Sequence, residues 1–102
     1  MNTLEKDIES KLRDKVKSYG GECLKWVSPS CSGVPDRIVL MPGGRIIFVE
    51  TKRPKGGRTS GLQRWWAQRL STLGFSHWFI HDEVDLARFT MMELAPYDLS
   101  DE

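Results

Sequence analysis

The segment from Asp36 to Thr51 constrains the fold more than any other part of the chain. Two apolar runs, Ile38-Val39-Leu40 and Ile46-Ile47-Phe48-Val49, stand on either side of Pro42-Gly43-Gly44. Short runs rich in β-branched and aromatic residues and bounded by turn formers read as strands, and a Pro-Gly-Gly between two of them reads as a hairpin turn. Asp36 to Met41 and Arg45 to Thr51 are thus predicted as antiparallel neighbours. The second run is apolar without alternation, which suits a strand covered on both faces. In a hairpin, the start of one strand lies beside the end of its partner. Asp36 is therefore expected near Glu50, fourteen positions away. Glu50 and Lys52 are two apart and project to one side of a strand.

The remaining elements arrange themselves around this hairpin. From Thr3 to Tyr19, Leu4, Ile8, Leu12, Val16 and Tyr19 recur at helical spacing. Asn2 or Thr3 can cap that helix, and Gly20-Gly21 ends it. Glu22 to Val27 reads as a short strand, with Cys23 and Lys25 facing one way and Leu24 and Trp26 the other. Ser28 to Pro35 is a Ser-, Pro- and Gly-rich loop, in which Gly33 allows a tight turn before Pro35. Lys52 to Ser60 is a second loop, basic and Gly-containing. A helix follows from Gly61 to Leu73, capped by Ser60 or Thr59, with Leu62, Trp65, Trp66, Arg69, Leu70 and Leu73 as its amphipathic pattern. Phe75 to Ile80 reads as a fourth strand, and Asp82 to Phe89 as a short helix capped by Asp82. The α-β-β-β-α-β order, with a strand-helix-strand unit from Arg45 to Ile80, predicts a mixed four-stranded sheet flanked by helices, an α/β fold. Residues 1–102 are expected to form one domain, with an acidic tail over about 92–102.

Composition excludes some classes. Apolar residues make up 39% of the chain and charged residues 28%, an ordinary balance for a folded domain. No stretch approaches a membrane span, and the first residues lack the apolar centre of a signal peptide. A cytoplasmic, intracellular location without membrane attachment is therefore expected. Cys23 and Cys31 match no zinc spacing and are expected as two lone thiols in a reducing compartment. His77 and His81 fall on a strand, where a four-residue spacing does not build a metal site. The net charge of +1 hides a segregation. From Thr51 to His81 there is no acid, against Lys52, Arg53, Lys55, Arg58, Arg64 and Arg69. From Asp82 onward seven acids face Arg88 alone. A basic middle suits a phosphate backbone, although a solvated helix face would look the same.

Asp36, Glu50 and Lys52 are the residues that can carry chemistry. Two carboxylates brought together in a partly dry site need a cation between them, or one must take a proton. Hard oxygen ligands select Mg2+ or Mn2+. With an ammonium beside an attacking water, the set has the parts for hydrolysis of a phosphodiester. The plainer alternative is a turn-capping aspartate beside a surface Glu-Lys pair.

The string GVPDRIVLMPGGRIIFVETK, the basic loop after it and LQRWWAQRLSTLGF together resemble the VRR-NUC family. This is a branch of the PD-(D/E)xK nucleases, found alone in phages and as a domain of larger repair nucleases. The resemblance spans roughly Leu4 to Ile80. It implies a restriction-endonuclease-like core and a Mg2+- or Mn2+-dependent deoxyribonuclease. Carried over residue by residue, it assigns Asp36 and Glu50 as metal ligands and Lys52 as the catalytic lysine. It adds the backbone carbonyl of Thr51 as a further ligand, Gln63 as a glutamine near the site, and a glutamate of the first helix. Glu5 and Glu9 share a helix face; Glu9 follows Ile8 as in the family's I-E-x-x-L pattern and is preferred. Lys25 matches a basic residue on the first strand. Arg53, Lys55 and Arg58 are candidates for DNA phosphates, though a solvated loop explains them as readily. Trp65 and Trp66 can stack on bases, yet at least one is expected in the core. The resemblance further implies a homodimer acting on branched or duplex DNA, Holliday junctions included. Two other classes stay open: a catalytically silent DNA-binding module, and a protein that docks on a partner through its Trp-rich helix.

Overall fold

The computed structural model describes residues 5–52 and 59–97. The elements are α1 (Glu5–Ser18), β1 (Glu22–Lys25), β2 (Arg37–Met41), β3 (Arg45–Thr51), α2 (Gly61–Thr72), β4 (Ser76–Ile80) and α3 (Glu83–Phe89). Their sheet has the order β1-β2-β3-β4. The first two pairings are antiparallel and β3–β4 is parallel, as the strand-helix-strand unit requires. The hairpin register sets Arg37 opposite Val49 and Met41 opposite Arg45. Gly43 and Gly44 turn it with φ of +84° and +83°, values that only glycine adopts freely.

The core lies between one face of the sheet and the helices α1 and α3. Ile8, Leu12 and Val16 of α1 meet Val39, Met41, Ile47, Val49 and Ile80 of the strands and Leu86, Phe89 and Leu94 of the C-terminal helix. Period-two alternation delivers the strand residues to that face, and i, i+4, i+8 spacing delivers the helical ones. Ion pairs Lys11–Glu83 and Arg45–Glu93 brace α1 to α3 and the start of β3 to the chain's end.

Three departures from the sequence reading have physical causes. First, the final helix does not stop at Phe89. It widens into a π-helical segment, Thr90–Leu94, and then a short 3-10 turn, Ala95–Tyr97. Phe89 and Leu94 are five apart, so one wide turn aims both at the core, where both are fully buried. Residues 93 and 94, expected in an acidic tail, are thus packed. Second, the apolar stripe of α2 is not docked as a core face. Leu70 is buried there, whereas Leu62, Trp65 and Leu73 are each more than half exposed. Trp66 is half-buried and donates Nε1–H to the carbonyl of Ser32 at 3.1 Å. Third, β1 ends at Lys25 and β2 begins one residue after Asp36. The backbone there still pairs, with Trp26 N–H donating to Asp36 O at 2.9 Å. Among the described residues no helix is long and apolar enough to cross a membrane.

Both cysteines are free, Cys23 buried and Cys31 exposed. Burial pushes the Cys23 thiol up to about 11, which starves it of the reactive thiolate. At pH 8 a thiol reagent is expected to label one cysteine of the native chain quickly and the second only on unfolding. Two fast labels on native protein would contradict the packing of Cys23 under α1.

Candidate active site

The open end of the β2–β3 hairpin carries the site, and the chain reaches it from four elements. Asp36 stands opposite Glu50 by extension of the register. Glu50 Oε2 accepts from the Asp36 backbone N–H at 3.1 Å. The Asp36 carboxylate accepts from Thr51 twice, Oδ1 from the backbone N–H at 2.9 Å and Oδ2 from the hydroxyl at 2.6 Å. The side chains then divide between the two faces of the sheet. Arg37 and Thr51 lie on the α1 face, where Glu9 Oε1 is 3.1 Å from the Thr51 hydroxyl and Glu9 Oε2 accepts from Arg37 Nη2 at 3.0 Å. Glu50 and Lys52 lie on the α2 face with Gln63.

Gln63 is held there by its helix. Ser60 and Gln63 form a capping box: the Ser60 hydroxyl accepts from Gln63 N–H, and Gln63 Oε1 accepts from Ser60 N–H. The same Oε1 accepts from Lys52 Nζ at 2.7 Å, and Gln63 Nε2 donates to Glu50 Oε1 at 2.9 Å. Lys52 Nζ stands 3.7 Å from Glu50 Oε1. The start of α2 closes over the loop before Asp36 at Gly33. This residue has φ of +84°, and a Cβ there would come within 2.6 Å of Leu62 Cβ. Glycine is needed at 33 both for its backbone and for that approach, which brings α2 close enough for Gln63 to reach across.

Glu50, Thr51 and Lys52 are all buried at the end of β3. Burial pushes the Asp36 carboxyl above its ordinary range; the Thr51 hydrogen bonds offset part of this, and contact with Glu9 adds to it. Burial also acts to raise Glu9, but the hydrogen bond and charge of Arg37, with bonds to Asp36 and Thr51, leave it below the usual range. When the pair shares a proton, Asp36 carries it and Glu9 accepts the bond.

Of the residues expected at the site, Glu9, Asp36, Glu50, Thr51, Lys52 and Gln63 come together. The Glu5 side chain lies outside the described residues, as do Arg53, Lys55 and Arg58. Lys25 ends β1, exposed, in register with Arg37. His81 pairs instead with Asp85 at 3.2 Å. The roles of the Thr51 hydroxyl and of Arg37 were not read from the sequence. Arg37 had a signal: a cation stands where β2 alternation, continued by Val39 and Met41, calls for an apolar residue.

Among the described residues no three His, Cys, Asp or Glu side chains form a closed cation cage. Glu9 and Asp36 are in contact, while Glu50 faces Gln63 and Lys52. The chemistry of the donors still fits a divalent cation of the Mg2+ or Mn2+ kind. Glu9 and Asp36 bring hard carboxylate oxygens into contact at a partly buried point and are left to share a proton, the arrangement a cation relieves.

No family model matches the chain. Putative nuclease p44 of Acyrthosiphon pisum secondary endosymbiont phage 1 is 46% identical over 70 residues, which are 69% of this chain and 74% of that protein. A solved structure of a VRR_NUC domain superposes with a TM-score of 0.82 at 20% identity, over 89% of this chain and 99% of that one. The mixed sheet and its flanking helices are thus those of the VRR-NUC fold, and the chain belongs to the family of the phage protein p44.

Proposed function

We propose that this protein is a divalent-metal-dependent nuclease that hydrolyses phosphodiester bonds of DNA. The observation that carries the reading is the convergence of Glu9, Asp36, Glu50, Lys52 and Gln63 at one end of the sheet, in a chain of this family. Glu9, Asp36 and Glu50, with the Thr51 carbonyl, would hold Mg2+ or Mn2+. A bound ion supplies charge that acidifies a water and stabilises the transition state at phosphorus. The chain's own part is positioning. Gln63 fixes the Lys52 ammonium beside Glu50, where it can orient the attacking water and take up its negative charge. Asp36 is fixed in turn by the Thr51 N–H and hydroxyl. Arg53, Lys55 and Arg58, with Lys25, would meet the phosphate backbone, which favours recognition of DNA shape over sequence.

The finer reading is a structure-selective endonuclease that works on branched DNA as a homodimer in the cytoplasm. Its support is the sheet face away from α1. Leu24, Leu40 and Ile46 are exposed there by 48, 37 and 37%, and apolar surface of this kind suits a second copy.

The test is cleavage of labelled duplex, flap and four-way DNA with Mg2+, Mn2+ or EDTA, beside Glu50→Ala. Cutting that needs the metal and disappears in Glu50→Ala is the expected result. DNA binding without any cutting by the intact chain would replace this reading with a silent binding module. A monomer in sedimentation at working concentration would remove the dimer.

A further inference from the structure

Arg37 is difficult to explain as a stabilising residue. It sits on the core face of β2, 8% exposed, in line with Val39 and Met41. Its Nη2 donates to Glu9 at 3.0 Å. Its Nε is buried and has no hydrogen-bond partner among the described residues. A buried ion pair is often replaced by apolar side chains of similar size with no loss of stability, and methionine already fills position 41 on the same face. A guanidinium kept there with an orphaned donor calls for a functional account.

Its position supplies one. Arg37 follows Asp36 directly and grips Glu9 on the Oε2 side, while Thr51 holds the Oε1 side. The helix carboxylate is thereby pinned beside Asp36. Arg37 also changes the charge of the site permanently, since a guanidinium does not deprotonate in proteins. With Glu9, Asp36 and Glu50 all ionised, as ligands to a cation must be, three negative charges stand against two cations, Arg37 paired with Glu9 and Lys52 beside Glu50. That leaves a single net negative charge. One divalent ion already reverses it, and a second would enter a partly buried cluster that is already positive.

We propose that Arg37 is a positioning residue that holds Glu9 in the site and, as a permanent cation, limits the site to one divalent ion per chain. This rests on the metal-dependent reading above, and its test is independent of cleavage. The full chain is titrated with Mn2+ by calorimetry, without DNA. The wild type is expected to saturate at one ion per chain. Arg37→Lys, which keeps the charge and loses the planar fork, should still take one ion, bound about tenfold more weakly. Arg37→Met, which removes the charge, should admit a second. Should Arg37→Met not fold, Arg37→Gln carries the same expectation. Two ions in the wild type, or an Arg37→Met titration identical to it, overturns the proposal and leaves the nuclease reading intact. No uptake by the wild type overturns both.

Discussion

Asp36→Asn is expected to lower metal-dependent DNA cleavage by on the order of 10^3-fold and to leave the fold as stable as the wild type or more so. The first half follows if Asp36 is a ligand, since a neutral amide is a poor donor to a hard cation. The second half follows from electrostatics. Burial and the neighbouring Glu9 raise the Asp36 pKa in the folded state. A raised folded pKa means that the stability Asp36 contributes is present below its unfolded pKa and is lost as pH rises through the folded one. At pH 7, in EDTA, the ionised side chain is therefore a burden that asparagine removes. Asparagine can also keep the local bonds, accepting from Thr51 N–H and donating to the Thr51 hydroxyl, which still bonds Glu9. The measurements are single-turnover cleavage and melting temperature in EDTA at pH 4 and pH 7, with any stability gain confined to the higher pH. A variant that cuts at the wild-type rate would remove Asp36 from the chemistry. One that unfolds would show that its role is structural.

Phe89→Ala is expected to cost about 3–5 kcal/mol. The side chain is fully buried, and its ring packs edge-on against Trp78 with centroids 5.5 Å apart. Truncation removes apolar burial and an aromatic contact at once, and leaves a cavity at the end of α3 with little freedom to collapse. Domains of this size are stable by about 5–15 kcal/mol in total, so the melting temperature should fall by roughly 12 °C or more. Trp65→Ala is the control. Trp65 is larger but 55% exposed, its covered part including an edge-on contact with Trp66 at 5.0 Å between ring centroids, and its loss should cost about 1 kcal/mol. Equal losses from the two variants would mean that the core has been placed wrongly.

What could be read from the sequence was what local chemistry decides. The Pro-Gly-Gly hairpin brings Asp36 and Glu50 together by register alone. Ser60 and Gln63 have capping-box spacing. Ile8, Leu12 and Val16 mark a buried helix face whatever lies opposite. Features that depend on a distant partner were less legible. Arg37 makes sense only once α1 sets Glu9 beside it, 28 positions away. The Thr51 hydroxyl gave no local sign of its role, because its two acceptors, Glu9 and Asp36, come from other elements. The amphipathic pattern of α2, with at least one Trp expected in the core, marked apolarity without saying what covers it; here Leu62, Trp65 and Leu73 stay largely uncovered. The wide turn after Phe89 escaped because five-residue spacing is rare enough to be taken for an ending.

The division of the site among α1, β2, β3 and α2 also bears on the chain's synthesis. The Glu9–Thr51 contact spans 42 positions, Gln63 must arrive to hold Lys52, and the Lys52 backbone is tied down by the carbonyl of Ile80 at 2.9 Å. A ribosome that has made the first half of the protein has joined all three carboxylates of the set, Glu9, Asp36 and Glu50, into the chain, yet none is in place. Any capacity to cut phosphodiesters thus appears only when nearly the whole chain has emerged and docked. An unfinished or half-folded copy would lack the assembled set, and with it the proposed chemistry.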